Sequence, residues 1–448
     1  MTGLGINTSC GRISFSISSA RNTVLDSSVT RIPPFQTPRI EEQMTTADPS
    51  MSIREQAHAW ICEHWRGTDD RKWRTALVEA GWAVPTWSTD SGYGRGLSRA
   101  DAQAVADEFA TAGAPGAALD LRSFRAFPWL HLLGDPLKAF GSQAMRDELL
   151  PKLLSEEWAV GCLLYSEPGA GSDLAGLQTR ADADGDEYVV NGQKSWTTLG
   201  HEAHFALLIA RTDWDVVKHA GLSFFVIDMD SPGIEVRPMK QITGDTEFNE
   251  VFLTDVRVPA SRMLGNPGDG WKVIQTALAA ERAGMGGEAL ASSGDATLTD
   301  AATDLIEAAR AAGRDNDPIV RQEIAKILSW RLSNTWTGQR ALFEAYRGSF
   351  ALANTGKLAM SRILHSAGDL QYRLQGRQSL VYDYDHPQDY PVDHGLMFAF
   401  INSIGGGSDQ IQRNIISERV LGLPRGFEPD KGVPFRDVRK GGTAQGTH

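Results

Sequence analysis

The spacing of apolar residues changes twice along the chain. Between about 52 and 157, apolar positions recur every three or four residues, as they do on the buried side of a helix. Between about 158 and 262, short apolar runs alternate with turn residues, which is typical of β-strands. The helical spacing returns from about 267 to 421. This order predicts an α+β protein in which a small antiparallel domain lies between two helical domains.

Three local signals predict where helices begin or stop. Ser98, followed three residues later by Asp101, resembles a capping box and predicts a helix start. Asp317 before Pro318 predicts a second start, with Asp as the N-cap and Pro at the first helical position. Pro151 is expected to interrupt an earlier helical pattern, because proline lacks the N–H that a helix interior needs.

The middle region carries a strong turn signal. Asn191-Gly192 separates two extended runs, 187–190 and 193–198, and Asn-Gly between such runs predicts a tight hairpin. Further strands are predicted at 204–211, 222–228, 234–238 and 248–258.

Composition and charge exclude some classes of protein. With 41% apolar and 22% charged residues, the chain resembles an ordinary globular protein. The formal net charge of −12 argues against nucleic-acid binding, which needs a basic surface for phosphates. The longest apolar runs fall short of the ~18–20 residues that a membrane helix needs. We therefore expect neither nucleic acid nor a membrane as a partner.

The cysteines indicate the redox environment. Cys10, Cys62 and Cys162 lie far apart and have no Cys-x-x-Cys spacing. This pattern predicts neither a zinc site nor a disulfide framework, so no metal is expected. Free thiols are typical of a reducing compartment, and a cytoplasmic protein is the simplest interpretation.

The two ends differ from the rest of the chain. Residues 1–50 are rich in Ser, Thr and Pro, and basic residues precede the first acid, Asp26. Such a segment is either a transit peptide, which would place the protein in the mitochondrial matrix, or a disordered leader. A third interpretation starts the chain at Met44 or Met51, and the absence of an amphipathic Arg helix favours the last two. Residues 431–448 are predicted to form a polar tail.

Three motifs resemble signatures of the acyl-CoA dehydrogenase family. Residues 165–173 read Tyr-Ser-Glu-Pro-Gly-Ala-Gly-Ser-Asp, and residues 191–198 read Asn-Gly-Gln-Lys-Ser-Trp-Thr-Thr. Residues 411–422 resemble the C-terminal helix of the family. The resemblance covers about 52–425, and the motifs occur in the expected order.

The resemblance implies a fold and a cofactor. It implies an N-terminal helical domain, a middle antiparallel β domain and a C-terminal four-helix bundle, with FAD between the last two. The family is usually a homotetramer in which a neighbouring subunit completes each FAD site. The predicted segments are a leader at 1–50, domains at 51–157, 158–265 and 266–430, and the tail at 431–448.

The resemblance also assigns residues to the flavin. Tyr165 and Ser166 match groups at the pyrimidine end of the ring, Thr198 matches the hydroxyl near N5, and Trp196 matches the indole that packs on the ring. A flavin needs such donors to orient it and to set its potential. Without the motif, Trp196 and Thr198 would be ordinary strand residues.

Other assigned contacts occur where the sequence departs from the family. Arg314 matches an arginine that reaches the FAD phosphates of a neighbour, but the phenylalanine that usually follows is missing. Ser408 and Gln410 match FAD contacts beside an altered glycine-rich segment. Ser172 matches a residue near the CoA chain, and a turn cap is an equally good interpretation.

The catalytic base of many family members is absent from its usual position, where this chain has Gly406. The isovaleryl-CoA and long-chain branches instead carry the base in a Leu-x-x-Glu-Arg pattern, which is present here from Leu278 to Arg282. Glu281 is therefore the candidate base for the α proton. Arg282 either tunes this helix or is a solvated charge, and a surface glutamate is the alternative for Glu281. Gly406 retains the backbone N–H that polarises the thioester oxygen in the family.

The resulting hypothesis is FAD-dependent α,β-dehydrogenation of an acyl-CoA or carrier-bound acyl thioester, with hydride transfer to flavin N5. An electron-transferring flavoprotein is the expected acceptor, and the protein is expected to be a homo-oligomer, either a tetramer or a dimer. One alternative is a related oxidase or monooxygenase. Another is a non-catalytic subunit of a heteromeric dehydrogenase. The sequence leaves the acyl group open.

Overall fold

The computed structural model describes residues 51–89, 92–116, 127–286, 301–346, 352–386 and 389–438. The chain divides into two compact units, one up to Ser123 and one from Phe124 onward. The described part of the first unit contains helices α1 (Ile53–His64), α2 (Arg71–Glu79) and α3 (Arg99–Thr111).

Helix α3 starts where the sequence predicted. Ser98 is the N-cap, and its hydroxyl accepts a hydrogen bond from the Asp101 N–H at 3.2 Å. The core of this unit contains an aromatic cluster, in which the rings of the buried Trp73 and Trp82 both pack on the ring of the buried Phe109.

The second unit opens with helices α4 (Phe127–Leu132), α5 (Gly134–Phe140) and α6 (Gln143–Leu154). Pro151 lies inside α6, so the prediction that it interrupts a helix was wrong. Proline removes one backbone donor but keeps its carbonyl. The Pro151 carbonyl accepts the Ser155 N–H at 2.9 Å, and the helix therefore continues to its end.

An eight-stranded sheet follows the first helices of this unit. Its strands are β1 (Gly161–Leu164), β2 (Arg180–Asp184), β3 (Glu187–Thr198), β4 (Phe205–Arg211), β5 (Leu222–Asp228), β6 (Ile234–Pro238), β7 (Phe248–Pro259) and β8 (Met263–Leu264). The order is β6-β7-β3-β2-β4-β5-β8, with β1 beside β4. Most pairs are antiparallel, but β1 and β2 each pair with β4 in parallel. The sheet and its flanking helices confirm the α+β class, with a mixed rather than purely antiparallel sheet.

The hairpin predicted at Asn191-Gly192 was wrong. Strand β3 runs through both residues, and the tight turn lies at Gly185, which has φ +66° between β2 and β3. Asn191 instead lies at a bulge against β7, where its amide donates to the Asp255 carboxylate at 2.9 Å and accepts the Asp255 N–H at 3.0 Å. Asparagine side chains often stabilise turns, but here the side chain of Asn191 bonds β3 to β7.

Helices return after the sheet. They are α7 (Gly270–Gly286), α8 (Ala301–Ala311), α9 (Pro318–Tyr346), α10 (Ala353–Gln375), α11 (Pro391–Ile404) and α12 (Asp409–Ile415), and a π-helical turn (Ile416–Val420) extends α12. Leu305, Val320, Ile324 and Leu370 pack in a core that α8, α9 and α10 share. Within the described ranges, no helix has the length and apolar character of a membrane span.

The start of α9 confirms the predicted cap and gives a first testable expectation. The Asp317 carboxylate accepts the Ile319 N–H at 2.8 Å and also pairs with Arg314 at 2.6 Å. We expect Asp317→Ala to lower the free energy of unfolding by about 1 kcal/mol, because the helix loses its N-cap. Urea unfolding measures the change. Asp315→Ala is the control, since that carboxylate has no partner in the part of the chain that the structure describes. An equal effect in both variants would contradict the capping role.

The segment predicted as a polar tail contains, near its start, a residue that is buried against the rest of the chain. Phe435 is 1% exposed, and its N–H donates to the Val216 carbonyl at 2.9 Å. The guanidinium of Arg211 lies 3.4 Å from the centre of the Phe435 ring. The chain therefore returns to the loop between β4 and β5 after the last helix.

Candidate functional site

A buried lysine joins the first two sequence motifs. Lys194 lies on β3 with no exposed surface, and its ammonium donates to Glu167 Oε1 at 2.9 Å. The same ammonium donates to the carbonyls of Tyr165 at 3.1 Å and Ile209 at 2.9 Å. These bonds fix the loop at 165–173 against the strand that carries the second motif.

The partner of this lysine is a carboxylate with several donors. Glu167 also accepts the backbone N–H groups of Gln178 and Thr179 at 2.7 and 2.8 Å. Burial opposes ionisation, but the Lys194 charge and these hydrogen bonds outweigh it and hold the pKa of Glu167 below its usual value. Burial lowers the pKa of Lys194 despite the neighbouring carboxylate. Sequence reasoning missed this pair, although each motif contains one of its members.

The structure brings four of the predicted flavin residues together. The Ser195 N–H donates to the Ser166 carbonyl at 2.9 Å, which places Ser166 and the preceding Tyr165 beside β3. On that strand Trp196 and Thr198 are exposed, whereas the intervening Thr197 is buried. The indole and the hydroxyl are therefore both accessible to a ligand.

Trp196 has an unusual backbone. Its φ is +60°, in the left-handed region that bulky residues rarely adopt, and β3 shifts register against β7 at this point. The indole is 59% exposed, with its ring edge-on to Phe248 at 5.8 Å. Such a conformation costs about 1–3 kcal/mol and is concentrated at functional sites.

These groups fit a flavin ring. The exposed face of β3 offers a flat indole and a hydroxyl, and the adjoining loop offers backbone groups. At Gly169 and Gly171 of that loop, a Cβ atom would meet nothing within 4 Å, so the backbone borders open space. This donor set suits the polar edge and the apolar face of an isoalloxazine.

A second set of predicted residues lies between α11 and α12. Gly406 and Gly407 have φ values of +60° and +88°, which L side chains rarely adopt. The Gly406 carbonyl accepts from Gln412 Nε2 at 3.0 Å, and the Gly407 carbonyl accepts from Lys357 Nζ at 2.7 Å. We call residues 405–407 the glycine loop.

Ser408 and Gln410 follow the glycine loop. The Ser408 hydroxyl caps α12 by accepting the Ile411 N–H at 3.4 Å, and Gln410 is exposed in the first turn. Two other predicted contacts are open to solvent. Ser172 is exposed beside Asp173, and Arg314 is half-exposed.

The predicted base, Glu281, lies on a helix whose packing partners the structure describes. Glu281 and Arg282 belong to α7, and their side chains fall outside the part that the structure describes. Helix α7 packs against β5 and α10. The helix that carries Glu281 thus lies beside the helix that supplies Lys357 to the glycine loop.

Two contacts that the sequence did not indicate join the loop between β6 and β7 to α11 and to the segment that precedes it. His394 Nε2 lies 2.7 Å from the Asp245 carboxylate, and the Tyr382 hydroxyl donates to the Thr243 carbonyl at 2.6 Å. Asp245 and Thr243 belong to the loop between β6 and β7, and α11 ends at the glycine loop. The two sets of predicted residues are therefore connected through this helix.

Comparison with known domain families agrees with the order of elements. Residues 41–157 match the acyl-CoA dehydrogenase N-terminal domain, residues 162–256 match the middle domain, and residues 268–421 match the C-terminal domain.

Curated relatives share much of the chain. Acyl-CoA dehydrogenase IpdE1 of Mycobacterium tuberculosis is 37% identical over 387 residues, which cover 81% of this chain and 90% of the relative. Cyclohexane-1-carbonyl-CoA dehydrogenase of Geobacter metallireducens is 29% identical, with 68% of this chain and 76% of the relative covered.

Solved structures show the same fold. The Tcur3481-Tcur3483 steroid ACAD superposes with a TM-score of 0.62 at 26% identity, covering 84% of this chain and 97% of that chain. The ChsE4-ChsE5 complex from Mycobacterium tuberculosis gives a TM-score of 0.59 at 24% identity, covering 88% of this chain and 100% of that chain. At 24% identity, the similarity to the ChsE4-ChsE5 complex shows a shared fold only.

Proposed function

The chain belongs to the acyl-CoA dehydrogenase family, and we propose that it oxidises the Cα–Cβ bond of an acyl-CoA thioester to the 2-enoyl thioester. It is an oxidoreductase whose cofactor is FAD. The observation that carries the proposal is the exposed, left-handed Trp196 beside Thr198. These residues lie on a strand that the Lys194–Glu167 pair ties to the loop at 165–173.

The proton and the hydride leave from neighbouring carbons. Glu281 takes the α proton, and the Gly406 N–H polarises the thioester oxygen so that negative charge developing there is stabilised. When bound, FAD accepts the β hydrogen with its electron pair, which leaves the Cα–Cβ double bond. The Leu-x-x-Glu-Arg pattern supports this choice of base, and Arg282 on the same helix would tune it.

The remaining predicted residues hold the cofactor and the substrate. Tyr165, Ser166, Trp196 and Thr198 orient the ring. Ser408, Gln410 and Arg314 are proposed to contact other parts of FAD, and Ser172 to contact the CoA chain. The exposure of Ser172, Arg314 and Gln410 supports their part of this assignment, because a ligand can reach them.

We propose that the acyl group carries a ring. Two similar proteins support this choice by their names, one a cyclohexane-1-carbonyl-CoA dehydrogenase and the other a steroid ACAD. An electron-transferring flavoprotein is the proposed acceptor. Slow reoxidation of the substrate-reduced protein in air distinguishes this dehydrogenase from an oxidase.

An anaerobic titration tests the proposed reaction. The purified protein is expected to be yellow and to lose its visible flavin absorption when a ring-bearing acyl-CoA is added, because FAD becomes reduced. Straight short-chain and medium-chain acyl-CoAs are the comparison. A yellow protein that no acyl-CoA bleaches would contradict the proposed reaction, and bleaching by straight chains alone would contradict the proposed substrate class.

A second candidate is one subunit of a heteromeric dehydrogenase. Arg314, assigned to a neighbour's FAD, pairs with Asp317 of its own chain, and the phenylalanine that usually follows it is missing. The name of one similar structure, the Tcur3481-Tcur3483 steroid ACAD, joins two different chains. This candidate predicts that the chain made alone is colourless even when FAD is added.

A further inference from the structure

The glycine loop rests on a buried charge. Lys357 on α10 has no exposed surface, and its ammonium donates to the Gly407 carbonyl at 2.7 Å. The Asp409 carboxylate lies 3.6 Å from this ammonium and accepts the Ser361 hydroxyl at 2.8 Å. A buried ammonium that is both paired with a carboxylate and hydrogen-bonded keeps its position, because leaving it unpaired is costly.

A second side chain holds the preceding peptide. Gln412, which is fully buried, donates to the Gly406 carbonyl at 3.0 Å. A Cβ atom at Gly407 would lie 2.9 Å from the Gln412 amide nitrogen, and φ there is +88°. The loop is therefore closely fitted to α10 and α12 and accommodates only glycine at this position without strain.

These contacts orient the donors of the loop. In a trans peptide the carbonyl and the following N–H point in opposite directions. Because Lys357 and Gln412 draw two successive carbonyls toward their helices, the N–H groups of Gly407 and Ser408 face the other way. Across the described ranges, neither of these two N–H groups has an acceptor. The loop thus presents free donors, and the cation behind it polarises one of its peptides.

We propose that Lys357 is a positioning residue for thioester polarisation. By holding the Gly407 carbonyl it orients the Ser408 N–H, and together with Gln412 it sets two donors, the N–H groups of Gly407 and Ser408, beside the Gly406 N–H. The proposal rests on the proposed function, because it assigns the substrate oxygen as the acceptor. Lys357 does not touch the thioester and acts by fixing and polarising the peptides of the glycine loop. Donors fixed before the reaction stabilise a developing oxyanion without reorganising, so loosening the loop should weaken polarisation of the bound carbonyl.

A spectroscopic probe separates this role from a structural one. An arylpropenoyl-CoA absorbs at longer wavelength when its thioester carbonyl is polarised. In the FAD-loaded protein we expect the red shift on binding to be largely lost in Lys357→Met combined with Asp409→Asn, which removes both buried charges together. We expect kcat to fall roughly 10²-fold, as for loss of an oxyanion donor, with KM little changed. Flavin content and melting temperature should stay near those of the wild type.

Two further variants sharpen the test. Ser361→Ala leaves the Lys357–Gly407 bond in place and should retain the red shift. Lys357→Arg keeps the charge but moves the donor, so the shift should decrease even if the double variant does not fold. A full red shift and an unchanged kcat in either Lys357 variant would overturn the proposal. Failure of every acyl-CoA to bleach the wild type would instead contradict the proposed function.

Discussion

Replacing Glu281 with Gln is expected to slow flavin reduction by roughly 10³-fold, within the usual range for loss of a general base. The amide has nearly the same shape as the carboxyl group but does not accept the α proton. Binding of the acyl-CoA and of FAD should persist, because the substitution removes one charge and little volume. Stopped-flow measurement under anaerobic conditions, at saturating acyl-CoA, gives the rate directly.

Glu307→Gln is the matched control for this experiment, since Glu307 is an exposed glutamate on helix α8. Its rate should equal that of the wild type. If Glu281→Gln reduces the flavin within tenfold of the wild-type rate, Glu281 is not the base and another group removes the proton. A slow variant that still perturbs the flavin spectrum on binding would place the defect in the chemical step.

The second large effect concerns the Lys194–Glu167 pair. We expect Lys194→Met to lower the free energy of unfolding by about 3–5 kcal/mol, because it leaves the Glu167 charge buried without its cation. Urea unfolding of the FAD-loaded protein measures the loss. Lys218→Met is the control, because its pair with the mostly exposed Asp173 should contribute about 1 kcal/mol or less.

A double variant identifies the cause of this loss. Lys194→Met with Glu167→Gln removes both charges and should recover part of the stability, since no buried charge is left unpaired. No recovery would mean that the bonds from Lys194 to the Tyr165 and Ile209 carbonyls, rather than the ion pair, dominate.

The Lys194–Glu167 pair also makes the free energy of unfolding depend on pH in acid. The folded protein holds the pKa of Glu167 below its usual value, so this group contributes stability in full above the unfolded pKa of ~4.3. That contribution is lost as the pH falls through the lower folded-state pKa. Glu167→Gln should therefore weaken the pH dependence of unfolding in acid, below about pH 5. An unchanged acid slope would contradict the assignment.

Local sequence signals predicted most of the elements. The predicted strand at 222–228 coincides with β5, and the predicted caps Ser98 and Asp317 start α3 and α9. These features depend on residues that are close in sequence, so a local pattern is enough to predict them. Asn191 failed as a turn signal because its side chain bonds with Asp255, which is 64 positions away and invisible to a local pattern.

Motif resemblance predicted which residues belong to the site but not what holds them. Lys357 lies 50 positions before the carbonyl that it binds, and His394 lies 149 positions after Asp245. Nothing in the spacing of these residues indicates such contacts, because tertiary packing determines them. The motifs supplied the groups that face a ligand, whereas the buried supports required the fold.

The docked Phe435 limits how far this chain can be shortened or fused. Its ring covers the guanidinium of Arg211. The same guanidinium also donates hydrogen bonds to the carbonyls of Ala175, Leu177 and Lys218. A protein trimmed just after α12 and its π-helical turn would keep α1 to α12 but expose this arginine. Affinity tags and fluorescent fusions are therefore better attached beyond Val438 than at the end of the helical bundle.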